Sequence, residues 1–157
     1  MTTPRIEQLD GHSDRNGNLA AGSDTEREVV AVVVEWRGRV GLFRRSQFVA
    51  HDSGRWHCIT GYIDPGNSPE QQAIQELLEE TGLHAADLVD LESGRTLQLE
   101  GAGRGHWTVH TFRAATEIRR LQLNYEHDSH RWVKPRALSR FGNRVSWLED
   151  VLHAIAQ

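Results

Sequence analysis

From residue 28 to residue 36 the chain reads Glu-Val-Val-Ala-Val-Val-Val-Glu-Trp, an almost unbroken run of β-branched apolar side chains. A run without polar alternation predicts a strand covered on both faces. Arg37-Gly38 then predicts a turn into a hairpin partner over 40–44, and Ser46–Arg55 reads as a loop. Trp56–Thr60 predicts one short strand leading to Gly61, and the stretch to Ser68, centred on Asp64-Pro65-Gly66-Asn67, a turn-rich loop. Ser68 has the chemistry of an N-cap, Pro69 that of the first helical position, and Gln71 stands at capping-box spacing. A helix is therefore expected to about Thr81, stopped by Gly82. Strand-like segments follow around 86–99, 106–115 and 130–133, and 145–156 has the spacing of an amphipathic helix. Strands interleaved with two helices predict an α/β fold, a mixed β-sheet between helices. Residues 1–25 are polar and rich in Gly, Asp and Ser, which suggests an arm ahead of a single domain over 26–157. The Asn16-Gly17 pair favours a two-residue hairpin, so part of that arm is expected as a β-ribbon.

Composition removes several function classes. With 157 residues and 38% hydrophobic content the chain can bury a core of its own. No apolar run approaches the roughly 20 residues of a spanning helix, so no membrane partner is expected. The first residues lack a basic stretch followed by an apolar one, so no secretory leader is expected. A single cysteine, Cys58, rules out an intramolecular disulfide framework and suits a reducing cytoplasm.

The formal net charge of -4 conceals a strong segregation. Residues 1–55 carry eight basic and eight acidic side chains, residues 56–94 eight acidic and no Lys or Arg, and residues 95–157 ten basic and six acidic. An acidic block in a cationic frame lacks the basic stripe of a nucleic-acid-binding surface, so no nucleic-acid partner is expected. It suits a cation. At 100° per residue Ala73, Ile74, Leu77, Leu78 and Thr81 form one helical stripe, with Glu76, Glu79 and Glu80 opposite. These like charges repel at i,i+3 and i,i+4, each pair costing about 0.2–0.5 kcal/mol, and they crowd the helix half where the dipole disfavours anions. A hard divalent cation would supply the missing positive charge.

Residues 61–83 read Gly61-Tyr-Ile-Asp-Pro-Gly-Asn67-Ser-Pro-Glu-Gln-Gln-Ala-Ile-Gln75-Glu76-Leu77-Leu-Glu79-Glu80-Thr-Gly82-Leu83, a 23-position stretch that resembles the Nudix box. Gly61, Glu76, Leu77, Glu79, Glu80, Gly82 and Leu83 match the box; Asn67 stands where it has its first Glu and Gln75 where it has Arg. Val40–Ser46 resembles the strand that precedes the box, and Asn124–His127 with Arg131-Trp132-Val133 resembles a segment of MutT-like members. The resemblance covers about residues 28–155 and implies an α/β/α sandwich.

It also implies an activity: hydrolysis of a pyrophosphate bond in a nucleoside diphosphate linked to another group, with Mg²⁺, or Mn²⁺, bridging phosphate oxygens and polarising a water. By position Glu76, Glu79 and Glu80 are the implied metal ligands, and Glu76 an implied base toward the water. Glu126, in a polar stretch beyond the box, is a second candidate base or a further metal ligand. Arg44 or Arg45 is placed to neutralise phosphate, and Gly61 with its loop to present backbone to it. The partner implied is a small nucleotide-type substrate, with a homodimer as the family's usual means of shaping specificity. Asn67 and Gln75 replace both charged groups together, which suggests a neutral amide pair that keeps the loop's shape. The alternative is a catalytically weak or inactive nucleotide-binding or sensor domain. Trp56, Trp107 and Tyr125 are open to two readings, core aromatics or a stacking platform for a base. Cys58 reads as a small buried side chain.

Overall fold

A computed structural model describes residues 26–101 and 105–156. The expected arm at 1–25 lies outside the described residues. The described chain forms eight strands and two α-helices: β1 Glu26–Trp36, β2 Arg39–Arg45, β3 Trp56–His57, β4 Ile59–Tyr62, α1 Pro69–Thr81, β5 Leu88–Ser93, β6 Leu97–Gly101, β7 Gly105–Thr116, β8 His127–Val133 and α2 Leu148–Ile155. Short 3₁₀ turns occupy Ala85–Asp87 and Pro135–Arg140.

The apolar run from Val29 to Val34 is the middle of one mixed sheet, and all six residues are 0% exposed. β1 runs parallel to β7 along its whole length, from Glu26 opposite His106 to Trp36 opposite Thr116. Its other edge pairs antiparallel with β2 at the hairpin and with β4 over Val29–Val32. Alternation sends Val29, Ala31 and Val33 into a core with Leu148 and Val151 of α2, and Val30, Val32 and Val34 into a core with Ala73 and Leu77 of α1. The two helices therefore cover opposite faces of the sheet, as the unalternating pattern requires. Among the described residues no helix is long and apolar enough to cross a membrane.

The expectation of one strand over Trp56–Thr60 is corrected. His57 ends β3, which pairs with β2, and Ile59 begins β4, which pairs with β1. The chain changes partner at buried Cys58, so Gly61 lies inside a strand opposite Val30. The last helix starts at Leu148 rather than Val145, because the Val145 N–H donates to the Trp56 carbonyl at 2.9 Å and ties that stretch to β3.

α1 is bounded as its sequence requires. The Ser68 Oγ accepts from the Gln71 N–H at 3.1 Å, and the Gln71 Oε1 accepts from the Ser68 N–H at 2.8 Å. Gly82 closes the helix at φ 80°, a left-handed conformation that costs a side chain energy, and its N–H reaches the Leu78 carbonyl at 3.0 Å. Ser68→Ala is expected to cost about 1 kcal/mol, read as a lowered Tm. An unchanged Tm would show that neighbouring packing alone sets this helix start.

Candidate functional site

The buried face of α1 is not the apolar stripe that composition suggests. Leu78 is 43% exposed, whereas Gln72 and Glu80 are buried beside Ala73, Leu77 and Thr81. The buried arc is centred between the aliphatic and acidic stripes, so Glu76 and Glu80 face inward and Glu79 outward. The reason is Gly61. A Cβ there would overlap the Glu76 carboxyl, so its absence leaves space for that carboxyl against β4. Gly61→Ala is accordingly expected to displace Glu76 and to cost about 1–3 kcal/mol, with a fall in both Tm and any Mg²⁺-induced stabilisation.

Amides organise the loop ahead of the helix. The Asn67 Nδ2 donates to the Gln75 Oε1 at 3.2 Å, forming the neutral pair expected from sequence, and more closely to the Gln72 Oε1 at 2.8 Å. Gln72 is the centre of the arrangement: its Oε1 also accepts from the Asp64 N–H at 2.9 Å, and its Nε2 donates to the Glu76 Oε2 at 2.9 Å. Gln75 Nε2 donates to Asp64 Oδ2 at 3.1 Å and to Glu79 Oε2 at 3.3 Å. Gln72 and Asp64 are absent from the sequence-derived candidates. For Gln72 there was a signal, since an amide at i-4 from Glu76 and i-8 from Glu80 shares their stripe.

The second wall comes from the end of β2 and the start of β8. Their pairing slips between Arg44 and Arg45, Arg44 facing Ser129 and Arg45 facing His127, so Asp128 is the extra residue of a bulge. As successive strand residues, the two arginines point to opposite faces. Arg44 Nε donates to Asp128 at 2.8 Å on the exposed side, and its guanidinium lies over Trp56. Arg45 is 2% exposed, with Nε donating to the His51 carbonyl at 3.0 Å and its charge acting on Glu80, Glu126 and His127. Glu126 is half-buried, and its backbone carbonyl accepts from the Ser46 N–H at 2.8 Å. Ser46 Oγ also donates to the Tyr125 carbonyl at 2.6 Å, which fastens the 124–127 turn to β2.

Glu76, Glu80 and Glu126 thus share one electrostatic site, with Glu79 at its rim. Burial first, and repulsion from Glu126 and Glu76 after it, hold the Glu80 carboxyl well above the usual carboxylate range. Burial also raises Glu76, though less, because hydrogen bonding with Glu80 and Gln72 pulls the other way. Burial and the Glu76 charge push Glu126 up to about 7, Arg45 pulling the other way without prevailing. His127 Nδ1 lies 3.7 Å from Glu80 Oε1, yet burial and the Arg45 charge push the imidazole down to about 3. It is neutral beside Glu80, so this contact is a close approach rather than an ion pair.

Such a donor set suits a hard divalent cation. Burial and mutual repulsion favour the protonated forms of these carboxyl groups, and a cation would replace those protons. Among the described residues no three His, Cys, Asp or Glu side chains are already drawn to one coordination point; Glu76 and Glu80 are drawn to each other. Of the aromatic candidates, Trp107 is buried in the core and Trp56 packs edge-on against Phe141. Tyr125 is 68% exposed, and the charges of Glu126, Glu80 and Glu79 bear on its hydroxyl. Cys58 is buried and its thiol is pushed up to about 12, which leaves it inert as a nucleophile.

A family model described as NUDIX domain matches residues 24–155. The chain is 37% identical over 124 residues to the octanoyltransferase of Myxococcus xanthus, covering 73% of this chain and 32% of that protein. It is 32% identical over 84 residues to the asymmetrical bis(5'-nucleosyl)-tetraphosphatase of Rattus norvegicus, covering 50% of this chain and 54% of that protein. The chain thus spans about a third of the first relative's length and about half of the second's. Its fold is similar to that of the MutT protein from Methanosarcina mazei Go1, with TM-score 0.70 and 20% identity over 82% of this chain and 91% of that one.

Proposed function

The chain belongs to the Nudix family, and on that premise we propose that it hydrolyses a phosphoanhydride bond in a nucleoside diphosphate linked to another group, with a divalent cation, Mg²⁺ or Mn²⁺. The observation that carries the reading is the inward-facing, mutually repelling set Glu76, Glu80 and Glu126, with Glu76 tied through Gln72 to the amides of the preceding loop. An anionic site this expensive to fold has a purpose if it meets a cation.

Glu76, Glu79 and Glu80 would hold the metal, which supplies charge neutralisation at the phosphates and a more acidic water. Glu126 comes from a different element than the helix carboxylates and so takes the proton of the attacking water from another direction. Arg45, buried behind them, offsets part of the negative charge so that a phosphorylated ligand can approach. Gln72 and the Asn67–Gln75 pair hold the loop and the Glu76 carboxyl in register. The Gly61 backbone lies in the strand under Glu76, where its missing side chain makes room for the Glu76 carboxyl. Tyr125, at the mouth, offers a face to the nucleobase. The substrate is a small nucleotide derivative, the single buried thiol of Cys58 suits a reaction in the cytoplasm, and a second copy of the chain is the partner that would shape specificity.

The test is a phosphate-release screen across nucleotide sugars, ADP-ribose, dinucleoside polyphosphates and NTPs, with and without Mg²⁺. Metal-dependent turnover of at least one class is expected. Binding without turnover of any class would overturn the enzyme in favour of a nucleotide sensor.

A further inference from the structure

A cleft of about 840 Å³ opens where the end of β1, the start of β2, the second half of β8 and the segment before it meet. It shares no residue with the carboxylate site. Four arginines line it, Arg39, Arg119, Arg120 and Arg131, and no Asp or Glu does. Among the described residues none of the four forms an ion pair; the neighbouring Glu117 is taken by Arg37 at 3.5 Å. The Arg131 guanidinium turns away over the Trp56 ring, 5.7 Å from its centroid, which leaves Arg39, Arg119 and Arg120 to face the cleft without a counter-charge, their forked donors matching phosphate oxygens.

The remaining walls are aromatic. Trp36 and Trp132, both half-buried, lie with ring centroids 5.7 Å apart at 43°. Gly41 makes this possible, because a Cβ there would stand 3.1 Å from the Trp132 ring. The Trp132 Nε1 is already committed to the Arg119 carbonyl at 3.0 Å, so what the indole offers the cleft is ring surface. The same bond fixes the backbone of the Arg119-Arg120 pair, and the Arg119 guanidinium stacks 5.5 Å from the Trp36 centroid. His130, stacked on Phe43 at 5.9 Å, closes the floor; burial and the charges of Arg131 and Arg119 hold it neutral-leaning, below its ordinary range.

We propose that this arginine–tryptophan cleft is a second ligand site that takes a nucleoside polyphosphate, the base stacking on the Trp36–Trp132–Arg119 wall and the phosphates lying among the guanidinium groups. Its volume is that of a small-molecule pocket, about 300–1,000 Å³, and the pairing of planar stacking with cationic forks is the chemistry that retains both halves of a nucleotide. A bare phosphate would leave the indoles unused, and an apolar ring would leave the arginines unneutralised. The site goes beyond the hydrolytic reading and does not depend on it, since nothing in the cleft requires a metal.

Isothermal titration calorimetry in EDTA separates the two sites, because without metal the carboxylate cluster repels a polyphosphate. ATP is expected to bind, with inorganic triphosphate at least about fivefold weaker for want of stacking. Arg119→Gln/Arg120→Gln should weaken ATP at least about tenfold, Arg119→Lys/Arg120→Lys should retain part of the affinity, and Trp36→Leu should erase the preference for ATP over triphosphate. Glu126→Gln should leave the metal-free affinity within about twofold. No measurable ATP binding, a double glutamine variant that binds as the parent does, or equal affinity for ATP and triphosphate would each overturn the proposal. So would much tighter binding of a single-stranded oligonucleotide than of ATP, which would make the cleft a nucleic-acid contact instead.

Discussion

Glu80→Gln is expected to make the metal-free protein more stable while stopping it from working. Glu80 is 2% exposed, and burial together with the charges of Glu126 and Glu76 disfavours its ionised form. At pH 8 the native state must either keep a proton that the solvent would remove or bury a charge among like charges. A glutamine of the same shape avoids both, and its Nε2–H is a donor that Glu76 can accept without any shared proton. The gain should be about 1–3 kcal/mol, the usual cost of a poorly satisfied buried polar group, and several degrees in Tm. The same substitution removes one hard oxygen anion from the proposed metal site. Hydrolysis should fall by about 10²–10³, the usual consequence of losing one preorganised electrostatic group. The rise in Tm with added Mg²⁺, which follows from preferential binding to the folded state, should shrink or vanish. Thermal melts at pH 8 with EDTA and with Mg²⁺, alongside the phosphate-release assay, read all three effects. A variant that melts lower than the parent without metal, or keeps its full Mg²⁺ response, would show that Glu80 is a structural acid outside the metal site.

The sequence made the helix legible and hid which way it faces. Caps are local: Ser68, Pro69, Gln71 and Gly82 bond within a few residues, so their spacing suffices to bound α1. Helix orientation is decided by what lies beneath, and there Gly61 and Gln72 win over Leu78 because a missing Cβ on β4 makes room for a carboxyl. That space depends on Gly61 falling within a strand opposite Val30, which follows from the switch of partner at Cys58, a long-range event. The arginines show the same division. Alternation along β2 sends Arg44 and Arg45 to opposite faces, but which of them meets Asp128 at the surface and which is buried beside Glu80 and Glu126 is set by the long-range pairing with β8. Neutral residues were harder still. A net-charge count finds the acidic block, but nothing in it distinguishes Gln72, whose two polar ends join the loop backbone to Glu76, from any surface amide. The arginine–tryptophan cleft was invisible for a related reason: its cations come from β2 and the segment before β8, distant in sequence, and Gly41 leaves room for the Trp132 ring beside them.

The pH dependence of stability gives the sharpest measure of how strained the carboxylate site is without metal, provided one group is isolated. Glu126 ionises at about 7 in the folded protein against an ordinary value of 4.5, through burial first and the Glu76 charge second. A carboxyl whose folded value is raised binds more protons in the native state than in the unfolded one across that window. Its contribution to stability is therefore complete below about pH 4.5 and is lost as pH rises through about 7. At about 1.4 kcal/mol per pH unit the loss amounts to ~3 kcal/mol. His127 works in the opposite direction. Pushed down to about 3 from 6.5, it makes the native state gain stability as pH rises across that range, so the parent protein alone gives a blunted profile. Comparing Glu126→Gln with the parent cancels His127, which both retain. The variant's advantage in metal-free Tm should be small at pH 5 and grow steadily to pH 8, by roughly 3 kcal/mol at the upper end. Added Mg²⁺ should narrow the gap at pH 8, since the parent then holds a cation where it formerly held protons, and leave it unchanged at pH 5, where protons compete for the same oxygens. A difference that stays flat with pH would mean that Glu126 ionises as an ordinary exposed carboxylate, and would detach it from Glu76 and Glu80 as a member of the site.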